Sequence, residues 1–102
     1  MKAEVEWTNP AFAKLEDLPE HLAFEIIRRV DLLAPFPEMG LSSRSRYPEL
    51  ANCRQVILSN FYRVIYEYRE TRAVVYILDV QHCHGRLPSA AELKHRSRNL
   101  DE

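Results

Sequence analysis

The residues best equipped for chemistry gather near the end of the chain, in Gln81-His82-Cys83-His84-Gly85-Arg86. Histidine is the side chain that exchanges protons near neutral pH, and arginine carries a fixed charge on a planar fork suited to phosphate or carboxylate. In an extended segment His82 and His84 point to the same side, as a pair of metal ligands would. Cys83 points the other way, and two ligands alone make a poor site, so neither a metal nor a cofactor is expected. A histidine at a strand end also has a purely structural role open to it, as a hydrogen-bonding partner. Cys53 and Cys83 are the only cysteines. In a reducing compartment they are expected to stay unpaired and inert.

Charge narrows the partners. The net charge is −1, which by itself favours neither nucleic acid nor an anionic membrane, but its distribution is uneven. Residues 1–40 hold four Lys/Arg against eight Asp/Glu, a balance of −4, and residues 41–102 hold ten against seven, a balance of +3. An anionic partner would meet the second part, unless these charges only solvate a face. With 102 residues the chain is sized for one domain, 1–102. Its charged start, Met1 to Trp7, lacks the apolar stretch of a secretory signal, and no apolar run reaches the roughly 20 residues that span a bilayer. A cytoplasmic protein with no membrane partner is the expectation.

Periodicity supplies the elements that must position these side chains. Glu4 to Thr8 alternates polar and apolar, as a half-buried strand does. Asn9-Pro10 opens a short helix, with Asn9 as its cap and Phe12 and Leu15 on one face. After Pro19, Leu22, Ile26, Val30 and Leu33 recur at helical spacing, so a second helix follows and the two form a hairpin. Pro35 and Pro37 end it, and Met39 to Asn52 reads as a loop. Val56 to Leu58, Tyr62 to Tyr68 and Val74 to Val80 are β-branched and aromatic runs, most simply an antiparallel meander of three strands. Ser89 to Glu92 matches a capping box for a C-terminal helix starting near Ala90, with residues 97–102 expected to fray.

Parity across the turns gives an expected register. If Ser59 faces Tyr62, Arg54 faces Glu67; if Tyr68 faces Val74, Arg63 faces Asp79. Arg54, Arg63 and Asp79 then share one sheet face, looking to solvent or a ligand. Ile57, Val64, Tyr66, Tyr76, Leu78 and Val80 share the other, beneath the hairpin.

This α+β order of strand, helical hairpin, three-stranded meander and short C-terminal helix resembles the RelE/ParE toxins of bacterial type II toxin-antitoxin modules. The residues that carry the resemblance are Glu4 to Thr8, Phe36-Pro37-Glu38-Met39-Gly40, Arg54 to Leu58 leading into Asn60 to Tyr66, and Ile77 to Arg86. The resemblance implies a cognate antitoxin that contacts the hairpin helices and adds to the sheet, hence an exposed apolar groove near the hairpin. It also implies one of two targets. ParE-like members inhibit DNA gyrase; RelE-like members enter the ribosomal A site and cleave mRNA without metal, using the RNA 2'-hydroxyl. Cleavage needs a base, an acid and cations, for which Arg63 and Arg86 would stabilise charge and His82 or His84 move the proton. Gln55 to Ser59 carries no lysine where RelE-type enzymes are lysine-rich, and the net charge is acidic, so the ParE-like reading leads. A family member that is no longer toxic and only binds its antitoxin is the third class. Either a homodimer or a toxin-antitoxin hetero-oligomer fits this family.

Overall fold

A computed structural model describes residues 2–43, 46–48, 50, 52–58 and 61–98. Strand β1 (Glu4–Trp7) leads into α1 (Asn9–Glu16) and α2 (Glu20–Val30), which a 3-10 turn extends over Asp31–Leu33. Then come β2 (Leu41–Ser42), β3 (Cys53–Leu58), β4 (Tyr62–Arg69), β5 (Val74–His82) and α3 (Ala90–Arg98). The five strands form one mixed sheet in the order β1-β5-β4-β3-β2, with β1 parallel to β5 and the other pairs antiparallel. None of the described helices is long and apolar enough to cross a membrane.

The hairpin forms where the apolar spacing places it, with two adjustments. Thr8, not Asn9, caps α1: its Oγ1 accepts from the Ala11 amide at 3.4 Å and also donates to the Ile77 carbonyl at 2.8 Å, tying the cap to β5. Ala11 and Leu15 are the buried face of α1, while Phe12 turns outward. On α2, Ile26 and Val30 are fully buried, as is Leu33 beyond it, and Arg28 and Arg29 sit in the last turn, where the helix dipole favours cations. Each such buried aliphatic side chain stabilises the fold by roughly 1.5–3 kcal/mol.

Both faces of the sheet are covered. The hairpin lies over Leu58, Val64, Tyr66, Val75, Ile77 and Val80. On the far side a smaller core of Tyr47, Cys53, Ile65, Val74, Tyr76 and Leu78 is closed by Leu93 of α3. The Ser89 hydroxyl accepts from the Glu92 amide at 3.1 Å, so Ser89 caps α3 where expected, while the Glu92 carboxylate lies 3.5 Å from Arg86 instead of closing the other half of the box. Its last turn is held as well: Arg69 Nη2 donates to Ser97 O and Oγ at 3.0 and 2.9 Å, and Ser97 Oγ bonds Glu67. Of the expected frayed tail, residues 99–102 lie outside the described residues.

The expected register is corrected at both turns. Leu58 faces Tyr62, so Arg54 pairs with Tyr66 instead of Glu67 and lies on the hairpin face; Ser59 itself lies outside the described residues. At the second turn Arg69 faces Val74, Tyr68 faces Val75 and Arg63 faces Gln81, not Asp79. The chain makes this tighter turn through Ala73 at φ 53°, a left-handed conformation that its side chain does not advertise. A bulge adds to the offset: Tyr66 pairs with Ile77 but Ile65 with Asp79, leaving Leu78 extra. Tyr76 and Leu78 therefore join the far core, and Ile57, opposite Arg63, is exposed on that side. Arg63 and Asp79 do share the far face, and Val64, Tyr66 and Val80 do lie under the hairpin. The stretch read as a loop, Met39 to Asn52, contains β2, which pairs Leu41 with Gln55 and Ser42 with Arg54.

Candidate functional site

Because β1 ends at Trp7, opposite Ile77, the last residues of β5 run beyond it toward the C-terminus of α1. A groove of about 370 Å³ opens there, lined by Lys14, Asp17 and Leu18 of the helix side and by Tyr62, His82, Gly85 and Arg86 of the strand end. After the bulge the alternation of β5 is reversed, so Val80 and His82 fall on the hairpin side with Tyr62 and Val64.

His82 is exposed but held. Tyr62 meets its ring edge-on at 5.3 Å between centroids, Phe61 stacks at 6.5 Å, and the His84 ring lies at 5.3 Å. The His84 amide donates to His82 Nδ1 at 3.1 Å, and the Gly85 amide donates to the His82 carbonyl at 2.8 Å. A ring that accepts at Nδ1 carries its proton on Nε2 when neutral, so His82 presents an N–H donor outward. Arg86 is largely exposed, within 3.5 Å of Glu92. His82, His84 and Arg86 are thus brought together with Lys14 nearby.

Arg63 is not. It sits across the sheet, opposite Gln81, and its Nε is buried with no hydrogen-bond partner. Gln81 Oε1 and Asp79 Oδ2 on neighbouring positions are also buried without partners. Asp79, fully buried, is clamped from both layers: its Oδ1 lies 2.6 Å from Lys14 Nζ of α1 and 3.3 Å from Arg96 Nη1 of α3. The Val80 amide donates to the same oxygen at 3.0 Å, and Arg96 also donates to the Leu78 carbonyl at 3.1 Å. Asp79 alone is fully buried in this set, so removing its cations would leave an uncompensated buried charge, which makes it a keystone between layers. Lys14 and Arg96 were not foreseen from sequence, since nothing in their own surroundings sets them apart from other solvated helix cations.

Cys53 is not placed for catalysis. Burial and the nearby Glu67 carboxylate push the Cys53 thiol up to about 12, where the reactive thiolate is scarce. Both cysteines are free. Among the described residues no three His, Cys, Asp or Glu side chains gather as metal ligands.

The loop after the hairpin, Phe36 to Gly40, is tied down by two residues of the sheet. The buried Tyr66 hydroxyl donates to the Pro37 carbonyl at 2.8 Å and accepts from the Gly40 amide at 3.0 Å. Arg54 Nη1 donates to the carbonyls of Glu38 and Gly40 at 3.1 and 2.8 Å, and its Nη2 lies 3.5 Å from Glu38 Oε2.

The family model for the ParE toxin of type II toxin-antitoxin systems, parDE, matches residues 5–86. The chain belongs to the ParE toxin family. Among solved structures, a mutant of the E. coli toxin RelE in the free state is 16% identical, with a TM-score of 0.69 over 98% of each chain. A chain of the toxin-antitoxin complex RelBE2 from Mycobacterium tuberculosis is 25% identical, with a TM-score of 0.70 over 80% of this chain and 99% of that one. The archaeal RelE-RelB complex from Pyrococcus horikoshii OT3 offers a third likeness, at 18% identity and TM-score 0.57, over 84% of this chain and 100% of that one. A search of curated proteins finds no match. The ParE-family chain thus has a RelE-like fold, and two of these relatives were crystallised with their antitoxins.

Proposed function

We propose that this ParE-family chain arrests growth by binding DNA gyrase, and that a cognate antitoxin neutralises it. The observation that carries the reading, beside the family match, is the separation of Arg63 from His82. Cleavage through a 2'-hydroxyl needs a base and cations converging on one phosphate, whereas these two side chains sit on opposite faces of the sheet. A net charge of −1 also gives little steering toward ribosomal RNA. The antitoxin finds an apolar landing surface on the outer side of the hairpin, where Phe12 and Phe24 are exposed.

The RelE-like alternative keeps one specific support. His82, Arg86 and Lys14 line one groove, with the His84 ring beside His82, which supplies a proton carrier and cations without Arg63. The test is to incubate the purified protein with gyrase and relaxed plasmid, and separately with ribosomes carrying mRNA. Inhibited supercoiling with intact mRNA is the expected result. Cut mRNA with normal supercoiling overturns the gyrase reading in favour of the nuclease. Neither effect, from folded protein that binds its antitoxin, selects a member that has lost toxicity.

A further inference from the structure

Four enclosed side-chain polar atoms among the described residues have no hydrogen-bond partner, and three of them belong to neighbours on the far face of the sheet: Arg63 Nε, Gln81 Oε1 and Asp79 Oδ2. The fourth, Ser43 Oγ, belongs to a residue bonded to Cys53, at the opposite end of β3 from the Ile57 that faces Arg63. Gln81 stands directly opposite Arg63, and Asp79, two residues back along β5, stands opposite Ile65. Directly opposed side chains start about 4.5–5.5 Å apart in an antiparallel pair and diagonal ones about 7–8 Å, within reach of a side chain as long as arginine. Asp79 is fully buried and Gln81 is 9% exposed, so neither turns its orphan atom to solvent. The Asp79 carboxylate is also used on one side alone: Lys14, Arg96 and the Val80 amide all meet Oδ1, and none bonds Oδ2. Interiors seldom leave such atoms unmatched, because each has given up its hydration for nothing in return.

We infer that Arg63, Gln81 and Asp79 bind one internal water molecule, which accepts from Arg63 Nε and donates to Gln81 Oε1 and Asp79 Oδ2. The chemistry of the three atoms selects this ligand. One is a donor and two are acceptors, and water carries two hydrogens and two lone pairs, so a single molecule satisfies all three. A cation is excluded because the Arg63 guanidinium faces the site, with Lys14 and Arg96 already on the same carboxylate. An anion is excluded because Asp79 and the Gln81 carbonyl oxygen line it. A side chain from a partner has no path, since the three atoms are closed to solvent. A direct bond from Arg63 to Gln81 would still leave Asp79 Oδ2 unmatched. Water-mediated bonds are nearly as favourable in enthalpy as direct ones, so the bridge fastens Arg63 of β4 to the residue that holds Lys14 of α1 and Arg96 of α3. The arginine of the family's strand motif thereby becomes an internal strut of this chain, not a cation free to follow a phosphate.

The test follows the Arg63 Nε–H by NMR in the full, 15N-labelled chain, with Arg63→Met identifying its signal by loss. This hydrogen is expected to exchange with solvent about tenfold or more slowly than in free arginine, and to show a cross-peak to water of the sign given by a long-lived internal molecule. A high-resolution crystal structure is expected to show one water within hydrogen-bond distance of all three atoms. Gln81→Met keeps the length of the side chain but removes one acceptor, and should speed the exchange of Arg63 Nε–H by about threefold or more. The losses in melting temperature of Gln81→Met and Arg63→Met should not add, the double variant losing less than their sum. None of these readouts involves gyrase, so the inference stands or falls apart from the proposed target. Exchange at the free rate in the parent overturns it, as does a direct bond between Arg63 Nε and Gln81 Oε1 with no water beside Asp79 Oδ2. Strict additivity of the two variants overturns it as well, and if either folds poorly the parent's own signals and crystal structure still decide.

Discussion

Replacing Gly40 by alanine tests whether the loop is fastened to the sheet as described. A Cβ at this position would stand 2.6 Å from the Tyr66 hydroxyl oxygen, 2.8 Å from the Gln55 carbonyl oxygen and 2.8 Å from Tyr66 Cε1. The first and third belong to a fully buried ring and the second to the backbone of a sheet strand, so no neighbour is free to yield. Overpacking of this kind costs about 1–3 kcal/mol. Displacing the hydroxyl also weakens its bonds to Gly40 and Pro37, each worth roughly 0.5–1.5 kcal/mol net. Together these give a loss of about 2–5 kcal/mol, which for a domain of this size lowers the melting temperature by roughly 10 °C or more. Circular dichroism melts and urea titrations of the parent, Gly40→Ala, Tyr66→Phe and the double variant make up the assay. Tyr66→Phe removes the nearest of the three contacts, so the double variant should be less destabilised than the sum of the singles, by about 1 kcal/mol or more. A Gly40→Ala protein within about 0.5 kcal/mol of the parent, a margin typical of neutral surface changes, would refute the reasoning.

Asp79→Ala removes the bonds that join α1, β5 and α3 and should lower unfolding stability by about 1.5–3 kcal/mol in a denaturant titration; a loss under about 0.5 kcal/mol would remove Asp79 from its structural role. Only Cys83 should react quickly with a thiol reagent near pH 8 in the native protein, Cys53 following at the rate of unfolding; prompt labelling of both argues against the buried thiol. The raised Cys53 pKa carries a sign as well: the unfolded thiol loses its proton first, so stability should fall as pH rises from about 9 toward about 12, while deprotonation of Cys53 makes no contribution below that window. Under the gyrase reading, His82→Gln, His84→Gln and Arg63→Ala should each arrest growth nearly as well as the parent while still binding antitoxin. A hundred- to thousandfold loss in Arg86→Ala mRNA cleavage, should cleavage be found, would instead mark that strand end as catalytic.

Much of this fold was legible from local pattern, because hydrophobic spacing and helix caps are properties of neighbouring residues. The stripe from Leu22 to Leu33, the aromatic runs of β4 and β5, and the Ser89 to Glu92 capping box each named an element from a few side chains. Strand register was different, since it depends on turns whose lengths are chosen by packing. A left-handed alanine at 73 and a bulge at Leu78 shifted the pairing by amounts that no glycine or proline announced, moving Arg63 from Asp79 to Gln81 and Leu78 to the far core. The candidate site divided along the same line. His82, His84 and Arg86 stay together because they are covalent near-neighbours, so their association was present in the sequence. Lys14 beside that strand end, Arg96 against Asp79, and Tyr66 and Arg54 gripping the Phe36 to Gly40 loop join residues from distant parts of the chain. Such contacts are decided only when the sheet and its two covering layers close, because until then nothing distinguishes these side chains from others of their kind.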